Sequence, residues 1–428
     1  MFVGIILCPF HLRDPILDQY IGGNYSRINY FLVLALLLLM ITKKDYTKWE
    51  VILCVIWLLL LVPLWFSNID YKLPRTLSAV TQTWLPVYLI IQRIDEDKRK
   101  KYLRNTLFVY DVFIAVLLSM GVYERLTGHS ILHVVIQWLD SMGIRASEYL
   151  VFSRQVGGFE KSVGSRMYSL WGHPLTNAIL FTSFFILNDI YFRSVRQRYP
   201  KMIFFAVAAV GVLLCVGKTA TVVLALCLVI SNWKNPRWLI AYAALGALLY
   251  FMGAFDTIIQ RFTAGEITTG RIPAIIKYFS GDNYPLRAWI GYGAGTTYLA
   301  DMRHLSPAFE FPLLMYALDN GILFSLVYVG SMFGYLSYHF LSRRQISTWM
   351  MISLLFAQIQ TYNGMSLRNQ DIGWLNAIII MIAINSVLLT DQPDPPKRRR
   401  RVQEKGIKAA LMHLICGEDT VARDSIVA

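Results

Sequence analysis

The stretch Leu32-Val33-Leu34-Ala35-Leu36-Leu37-Leu38-Leu39 decides the fold class. It is apolar at every position, whereas the strands of a membrane barrel alternate between apolar and polar residues. Only helices and closed barrels satisfy every backbone group inside a bilayer, so a continuous apolar run indicates a helix. The composition agrees, because 56% of the residues are hydrophobic and only 16% are charged, where soluble domains carry about 25% charged residues.

Apolar runs of this kind recur along the chain. A hydrocarbon core about 30 Å thick needs about 20 apolar residues per helix, which predicts an all-α, polytopic membrane bundle of about 11–12 transmembrane helices. The predicted spans are Ile28–Thr42, Trp49–Phe66, Thr76–Ile91, Thr106–Val122, Trp171–Phe192, Met202–Val216, Thr219–Ser231, Trp238–Gly253, Gly321–Leu341, Thr348–Tyr362 and Ile372–Leu389. Whether residues 1–12 form a twelfth span is left open, because their apolar run is short.

Two long polar interruptions, 123–167 and 253–310, divide these runs and are predicted to be the two long extracytoplasmic loops. The membrane domain then covers residues 1–390, and a basic cytoplasmic tail covers 391–428. Within a predicted span, Gly330 and Gly334 have the spacing that lets two helices approach closely, although the same spacing also arises by chance.

Basic residues predict the orientation, because Lys and Arg in short loops stay in the cytoplasm. They occupy every second connection between spans, at 43–48, 93–104, 193–201, 234–237 and 343–344, and again in the tail at 397–401. The net charge of +14 therefore reflects membrane topology. Basic runs beside a membrane contact anionic lipid headgroups, so membrane lipid is an expected partner and nucleic acid is not.

Cysteine and histidine spacing give no sign of a disulfide framework or a metal site. None of the five cysteines falls in the long loops. His129 and His133 are four residues apart, but no Glu follows His129 and no third ligand stands nearby. The chain also lacks a phosphate-cradling Lys motif, so a nucleotide-driven pump is not expected. We therefore predict neither a metal nor another cofactor.

Cationic residues on the predicted outer side need a reason other than topology. Arg166 is expected at the outer mouth of a helix, with His173 about two turns further in, just before Pro174. Lys218 stands in a tight hairpin between two apolar spans, and the second loop adds Arg261, Arg271 and Arg287. Each residue has two interpretations: the cations either snorkel to the interface or face an anionic ligand, and His173 either packs or binds.

Several guanidinium groups at a membrane surface suit a phosphate or pyrophosphate, because the planar fork binds oxyanions bidentately. A lipid-linked pyrophosphate is the natural candidate. Pyrophosphate is also a good leaving group, so cations that neutralise its developing charge could catalyse a transfer. One His or carboxylate would then deprotonate an attacking sugar hydroxyl.

The layout and several sparse motifs resemble the O-antigen ligase and Wzy-type polysaccharide polymerase family. These motifs are the 166–177 segment, Thr269-Gly270-Arg271, Gly291-Tyr292-Gly293-Ala294-Gly295 and the stretch holding His304, Glu310 and Gly321. The resemblance implies a metal- and nucleotide-independent membrane glycosyltransferase in the bacterial cytoplasmic membrane. It would polymerise undecaprenyl-pyrophosphate-linked oligosaccharides at the outer face, for a capsule, exopolysaccharide or other surface polysaccharide. A ligase would instead pass the glycan to a lipid core, and this alternative stays open.

The resemblance also implies roles for single residues and partners. Arg166 and Arg271 would grip the donor pyrophosphate, and His304 would activate the acceptor hydroxyl. Leu305-Ser306-Pro307 follows His304 where the family often has Asn, so Glu310 is a rival base. Besides the undecaprenyl-pyrophosphate-linked oligosaccharide, flippase and chain-length regulator proteins are expected partners.

A glycolipid transporter or flippase is the rival from another class. Transporters usually have related halves and charged residues near the midplane of the membrane. Asp111 is the clearest acidic residue within a predicted span, and no half-repeat is visible. The sequence therefore favours chemistry at the outer surface over passage through the bilayer.

Overall fold

The computed structural model describes residues 46–66, 84–144, 166–196, 200–233, 236–263 except 252 and 254, 285–292, 312–361 and 370–391, with a few isolated positions between them. Within these ranges every regular element is helical and no strand is present. The all-α prediction is therefore confirmed for the described residues.

The helices differ widely in length, and several are interrupted. A π-helical turn at Gly330–Gly334 joins α11 to α12, and a 3-10 turn at Leu388–Asp391 extends α14. The α-helices are α1 (Lys48–Phe66), α2 (Leu85–Ile91), α3 (Glu96–Thr127), α4 (Ile131–Ser141), α5 (Pro174–Ser194), α6 (Lys201–Cys215), α7 (Lys218–Asn232), α8 (Pro236–Phe251), α9 (Asp256–Thr263), α10 (Pro312–Asn320), α11 (Ile322–Val329), α12 (Tyr335–Ser342), α13 (Ile346–Ile359) and α14 (Gln370–Val387).

Three of these helices, α1, α3 and α5, are long and apolar enough to cross a membrane. Each overlaps a predicted span, and the shorter helices α6, α7, α8, α13 and α14 also begin and end within a few residues of one. The predicted span Ile28–Thr42 lies outside the described residues, and only Leu85–Ile91 is described as helix within Thr76–Ile91.

The helix α5 forms the centre of the packing. In its most apolar window 89% of the residues are buried, against 28% in α1 and in α3. It packs against α3, α6, α7, α13 and α14. By contrast, α1 and α3 expose large apolar side chains such as Leu58, Leu59 and Phe108. Contiguous exposed apolar surface of this kind marks a contact with another protein or with a membrane, and a bilayer would cover it.

The two ends of α5 carry different polar clusters. Near Pro174, the amide of Met167 donates to the carbonyl of Leu214, close to the end of α6. Near Ser194, the Nη1 of Arg193 donates to the Oγ of Ser347, close to the start of α13. We call the first the Glu124 end and the second the Asp189 end, after the buried carboxylate at each.

The close helix approach that the spacing of Gly330 and Gly334 allowed does not occur among the described residues. A Cβ atom added at either glycine would meet no described atom within 4 Å. Met332, halfway between them, is the residue of this turn that points into the core, so both glycines face outward. Close approach occurs instead at Gly211, where an added Cβ would overlap the ring of Phe181, and at Gly121, where it would overlap Met167.

The predicted outer loop at 123–167 is not loop throughout. The helix α3 continues to Thr127 and ends at Gly128, which adopts a left-handed conformation with φ of 71°. The separate helix α4 follows at Ile131–Ser141. These helical parts do not stand out as apolar runs, because the end of α3 and the whole of α4 are amphipathic rather than uniformly apolar.

Candidate functional site

A fully buried carboxylate organises the Glu124 end. The Glu124 side chain is 0% exposed. Its oxygens accept hydrogen bonds from the backbone N–H groups of Ile131 at 3.1 Å, of Tyr168 at 2.8 Å and of Ser169 at 2.9 and 3.0 Å. Hydrogen bonds to a carboxylate are roughly twice as strong as neutral ones. Glu124 therefore ties the start of α4 and the segment before α5 to the last turn of α3.

The side chain of Asn177, in the first turn of α5, holds the same segment from the other side. Its Oδ1 accepts from the Oγ of Ser169 at 2.9 Å, and its Nδ2 donates to the carbonyl of Tyr168 at 2.8 Å. Ser169 has a positive φ of 53°, a conformation that a non-glycine residue keeps only when its surroundings hold it. We call residues 166–173, fixed in this way, the Arg166 segment.

Arg166 lies at the first residue of this segment and is half-buried. Its Nε donates to the carbonyl of Cys215 at 3.2 Å. Cys215 is the last residue of α6, and the exposed carbonyls at a helix C-terminus favour a cation. Lys218, also half-buried, begins α7 directly after Val216 and Gly217, which form the α6–α7 turn. Arg166 thus contacts the residue before this turn, and Lys218 is the residue after it.

His173 forms the N-cap of α5. Its Nδ1 accepts a hydrogen bond from the backbone N–H of Leu175 at 3.2 Å, and Pro174 occupies the first helical position, as predicted. Because Nδ1 accepts this hydrogen bond, it carries no proton, so the imidazole is in its neutral form with the ring proton on Nε2.

One geometric expectation for this pair needs correction. The residues from Arg166 to Gly172 form turns rather than two turns of helix. Glu124 and Asn177 bind the backbone of this segment at Tyr168, so the same contacts hold the stretch between Arg166 and His173.

Arg287 lies on a segment packed against the start of α11. The backbone N–H of Ile322 donates to the carbonyl of Arg287 at 3.0 Å, and Gly321 permits this approach with φ of 102°. The guanidinium stacks 4.1 Å from the ring centre of Tyr292 and is exposed. Because α12 ends next to α13 at the Asp189 end, Arg287 lies toward the opposite, Glu124 end.

Four of the predicted site residues cannot be placed by their side chains. Arg271, His304 and Glu310 lie outside the described residues. Arg261 lies in α9, and its side chain is likewise outside the described part. The structure thus brings Arg166, His173 and Lys218 to one end of α5, and the predicted base and Arg271 stay predictions.

Sequence reasoning missed three buried polar residues that build the two ends. Glu124 and Asp189 are each a single acid near the end of an apolar run, and Asn177 stands within the segment that carried the family resemblance. At the Asp189 end, the buried carboxylate of Asp189 pairs with Arg193 at 2.6 Å and with Lys201 at 3.2 Å. Its Oδ1 also accepts from the Oγ of Ser231 at 2.8 Å. A lone carboxylate beside an apolar run was the available signal, since such groups need partners.

The chemistry available at the Glu124 end is the binding of an anion next to a neutral imidazole. A guanidinium and an ammonium group lie there half-buried, where charge is screened less than in bulk water. Among the described side chains, no group of three or more His, Cys, Asp or Glu could hold a metal ion. No protein family, no curated protein and no solved structure matches this chain.

Proposed function

We propose that this chain is a polytopic protein of the bacterial cytoplasmic membrane that polymerises undecaprenyl-pyrophosphate-linked oligosaccharide repeat units at the outer face. The observation that carries the proposal is the gathering of Arg166, His173 and Lys218 at the Glu124 end, on a backbone fixed by buried hydrogen bonds. This is the end at which the charge rule predicts no basic residues.

The orientation is supported by where the basic connections lie in the fold. Arg193 and Lys201 meet at Asp189, and Arg193 also bonds to Ser347, which follows Arg343 and Arg344. At the C-terminal end of α14, the Nη1 of Arg99 donates to the carbonyl of Leu388 at 3.4 Å. Several of the predicted cytoplasmic connections therefore share the Asp189 end, which makes the Glu124 end the outer one under the same rule.

The proposed reaction needs little more than positioning and charge neutralisation. The bond between the anomeric carbon of the donor sugar and its phosphate oxygen breaks, and a new bond forms to a hydroxyl oxygen of the acceptor repeat unit. The pyrophosphate leaves with the electron pair, and Arg166, Arg271 and Lys218 would neutralise its developing charge. The acceptor proton passes to His304 or Glu310 as the general base.

His173 suits a binding rather than a cationic role in this scheme. Its neutral ring carries its one N–H on Nε2, a group of the type that donates to phosphate or sugar oxygens. Placed next to Arg166, it would add a hydrogen-bond donor without adding a second charge. Arg287, stacked on Tyr292 and exposed, would contact the donor from the second outer segment.

Two alternatives follow from different observations. A ligase uses the same donor chemistry and differs only in the acceptor. A glycolipid flippase is favoured by the polar pair within the apolar part of α3 and α5, where Asn188 Nδ2 donates to Asp111 Oδ1 at 2.8 Å. Polar residues inside a membrane often line a pathway.

Deletion of the gene in its host tests the proposal. Lipid-linked and surface glycans are then separated by size. Single repeat units that accumulate on the lipid carrier, with loss of long chains, support a polymerase. Long chains that persist on the carrier indicate a ligase, and repeat units trapped on the cytoplasmic face indicate a flippase. Unchanged glycans in all fractions contradict the proposal.

Complementation with single variants then tests the proposed pyrophosphate contacts. Arg271→Ala should abolish chain extension while protein level and membrane insertion stay normal. Arg166→Ala should have a similar effect, because it removes the guanidinium bound at the end of α6. A matched control is Arg125→Ala, an exposed arginine in the last turn of α3 at the same end. Full extension by the Arg271 variant contradicts the pyrophosphate clamp.

A further inference from the structure

The short helix α4 has an apolar surface that is only half covered by the protein. At about 100° per residue, its apolar side chains occupy one continuous arc around the axis, and His133, Gln137, Asp140 and Ser141 occupy the rest. Leu132, Ile136 and Leu139 are buried in a small cluster with Ile144, separate from the main core. Val134, Trp138 and Met142, on the adjoining part of the arc, are 50%, 58% and 56% exposed.

The length of α3 sets the depth in the membrane at which α4 begins. The first turns of α3 are charged as far as Arg104, and the mainly apolar remainder from Thr106 to Thr127 carries only Asp111, Glu124 and Arg125 as charged residues. These 22 residues span about 33 Å at 1.5 Å per residue, close to the hydrocarbon thickness of a bilayer. Thr127 therefore reaches the outer boundary of the hydrocarbon, where Gly128 ends the helix.

The hydrogen bond from Ile131 to Glu124 keeps α4 at this level. The backbone N–H of Ile131, the first residue of α4, donates to Glu124 Oε1 at 3.1 Å. Glu124 is in the last turn of α3, so α4 cannot start more than a few ångströms beyond it. The exposed apolar surface of α3 continues to the same level, since Phe108, Val112, Val116 and Leu126 are 66%, 48%, 47% and 80% exposed.

We infer that α4 lies in the boundary between lipid headgroups and acyl chains, with Val134, Trp138 and Met142 inserted in the lipid. The partner is the outer surface of the bilayer itself. An amphipathic helix in this position buries its apolar face about 5–10 Å into the boundary, and tryptophan favours this depth. The inference rests on the membrane placement of α3 proposed above, and it does not depend on the glycan chemistry.

Site-directed spin labelling of the full-length chain in phosphatidylcholine vesicles tests the inference. Single cysteines are introduced at Val134, Trp138 and Gln137 in a chain whose native cysteines are replaced, and the spin label's accessibility to oxygen and to a water-soluble nickel complex is compared. Labels at positions 134 and 138 should favour oxygen, at a depth of about 5–10 Å. The label at position 137, on the polar side of the same turn, should favour nickel.

A label at Val116 tests the membrane placement of α3 separately from that of α4. If position 116 lies in lipid while position 138 is as accessible to nickel as position 137, the placement of α4 is wrong and that of α3 stands. If position 138 is shielded from both reagents, a protein surface covers it and the lipid assignment is overturned. If position 116 itself favours nickel, the membrane placement fails for both helices.

Discussion

The Glu124 end and the Asp189 end both bury a carboxylate completely, but they satisfy it in different ways. Asp189 is neutralised by the cationic side chains of Arg193 and Lys201. Glu124 accepts hydrogen bonds from backbone N–H groups of two other segments. Basic residues at the Asp189 end therefore serve the fold. At the Glu124 end the carboxylate fixes a backbone, and Arg166 binds a helix-terminal carbonyl instead.

This difference distinguishes basic residues that stabilise the fold from basic residues that could bind a ligand. A basic residue paired with a buried acid is explained by the fold and gives no argument for a ligand. A half-buried cation on a segment that a buried acid holds by its backbone is a candidate for binding, because its position is fixed independently of its charge. Substitutions at the two ends should distinguish these cases, first by their effects on stability and then by their effects on function.

The largest effect is expected at Asp189. Asp189→Ala leaves Arg193 and Lys201 without their shared carboxylate, and breaking a buried ion pair costs about 3–5 kcal/mol. Thermal unfolding of the purified protein in detergent measures this loss. The control is Asp95→Ala, whose ion pair with Lys98 has both side chains more than half exposed and is worth about 0–1 kcal/mol. Equal effects of the two variants would show that the Asp189 cluster does not hold the fold.

Glu124→Gln should cost somewhat less, about 2–4 kcal/mol, because each buried donor that loses its acceptor costs about 1–3 kcal/mol. A glutamine amide has one acceptor oxygen, and its N–H₂ group would face the N–H groups of Tyr168 and Ser169. Chain extension should fall together with stability. Asp97→Asn, an exposed acid in the first turn of the same helix, is the control. If the thermal unfolding of Glu124→Gln is unchanged, the hydrogen bonds to Glu124 do not hold the backbone at the Glu124 end, and the contrast with the Asp189 end is contradicted.

Whether a feature of the fold could be predicted from the sequence depends on how far apart along the chain its interacting residues lie. Helix positions such as Pro174–Ser194 and Lys201–Cys215 follow from local hydropathy and the Pro174 start signal, so prediction and structure differ by a few residues. Two of the partners of Glu124, Tyr168 and Ser169, are more than 40 positions away along the chain. Hydropathy carries no information about such contacts.

The candidate site likewise has a part that the sequence predicts and a part that it does not. Arg166 and Lys218 could be selected because cations at the predicted outer side break the charge rule, and His173 because it follows Arg166 and precedes Pro174. The contacts that Asn177 and Cys215 make with this segment could not be predicted, since a hydrogen bond to a backbone carbonyl does not depend on residue type. The spacing of Gly330 and Gly334 left close approach open for a related reason: spacing alone does not say which face of a helix is buried.

The smallest stability effect, and the sharpest functional contrast, is expected from two charge-preserving substitutions. Arg166→Lys loses the Nε bond to Cys215, and Arg193→Lys loses the bond to Ser347, so each should cost about 1 kcal/mol in thermal unfolding. At position 193 a lysine still neutralises Asp189, and glycan chain length should be normal. At position 166 an ammonium group cannot bind a pyrophosphate as a bidentate fork does, so chain length should fall. Equal chain lengths in the two variants would mean that Arg166, like Arg193, serves only the fold.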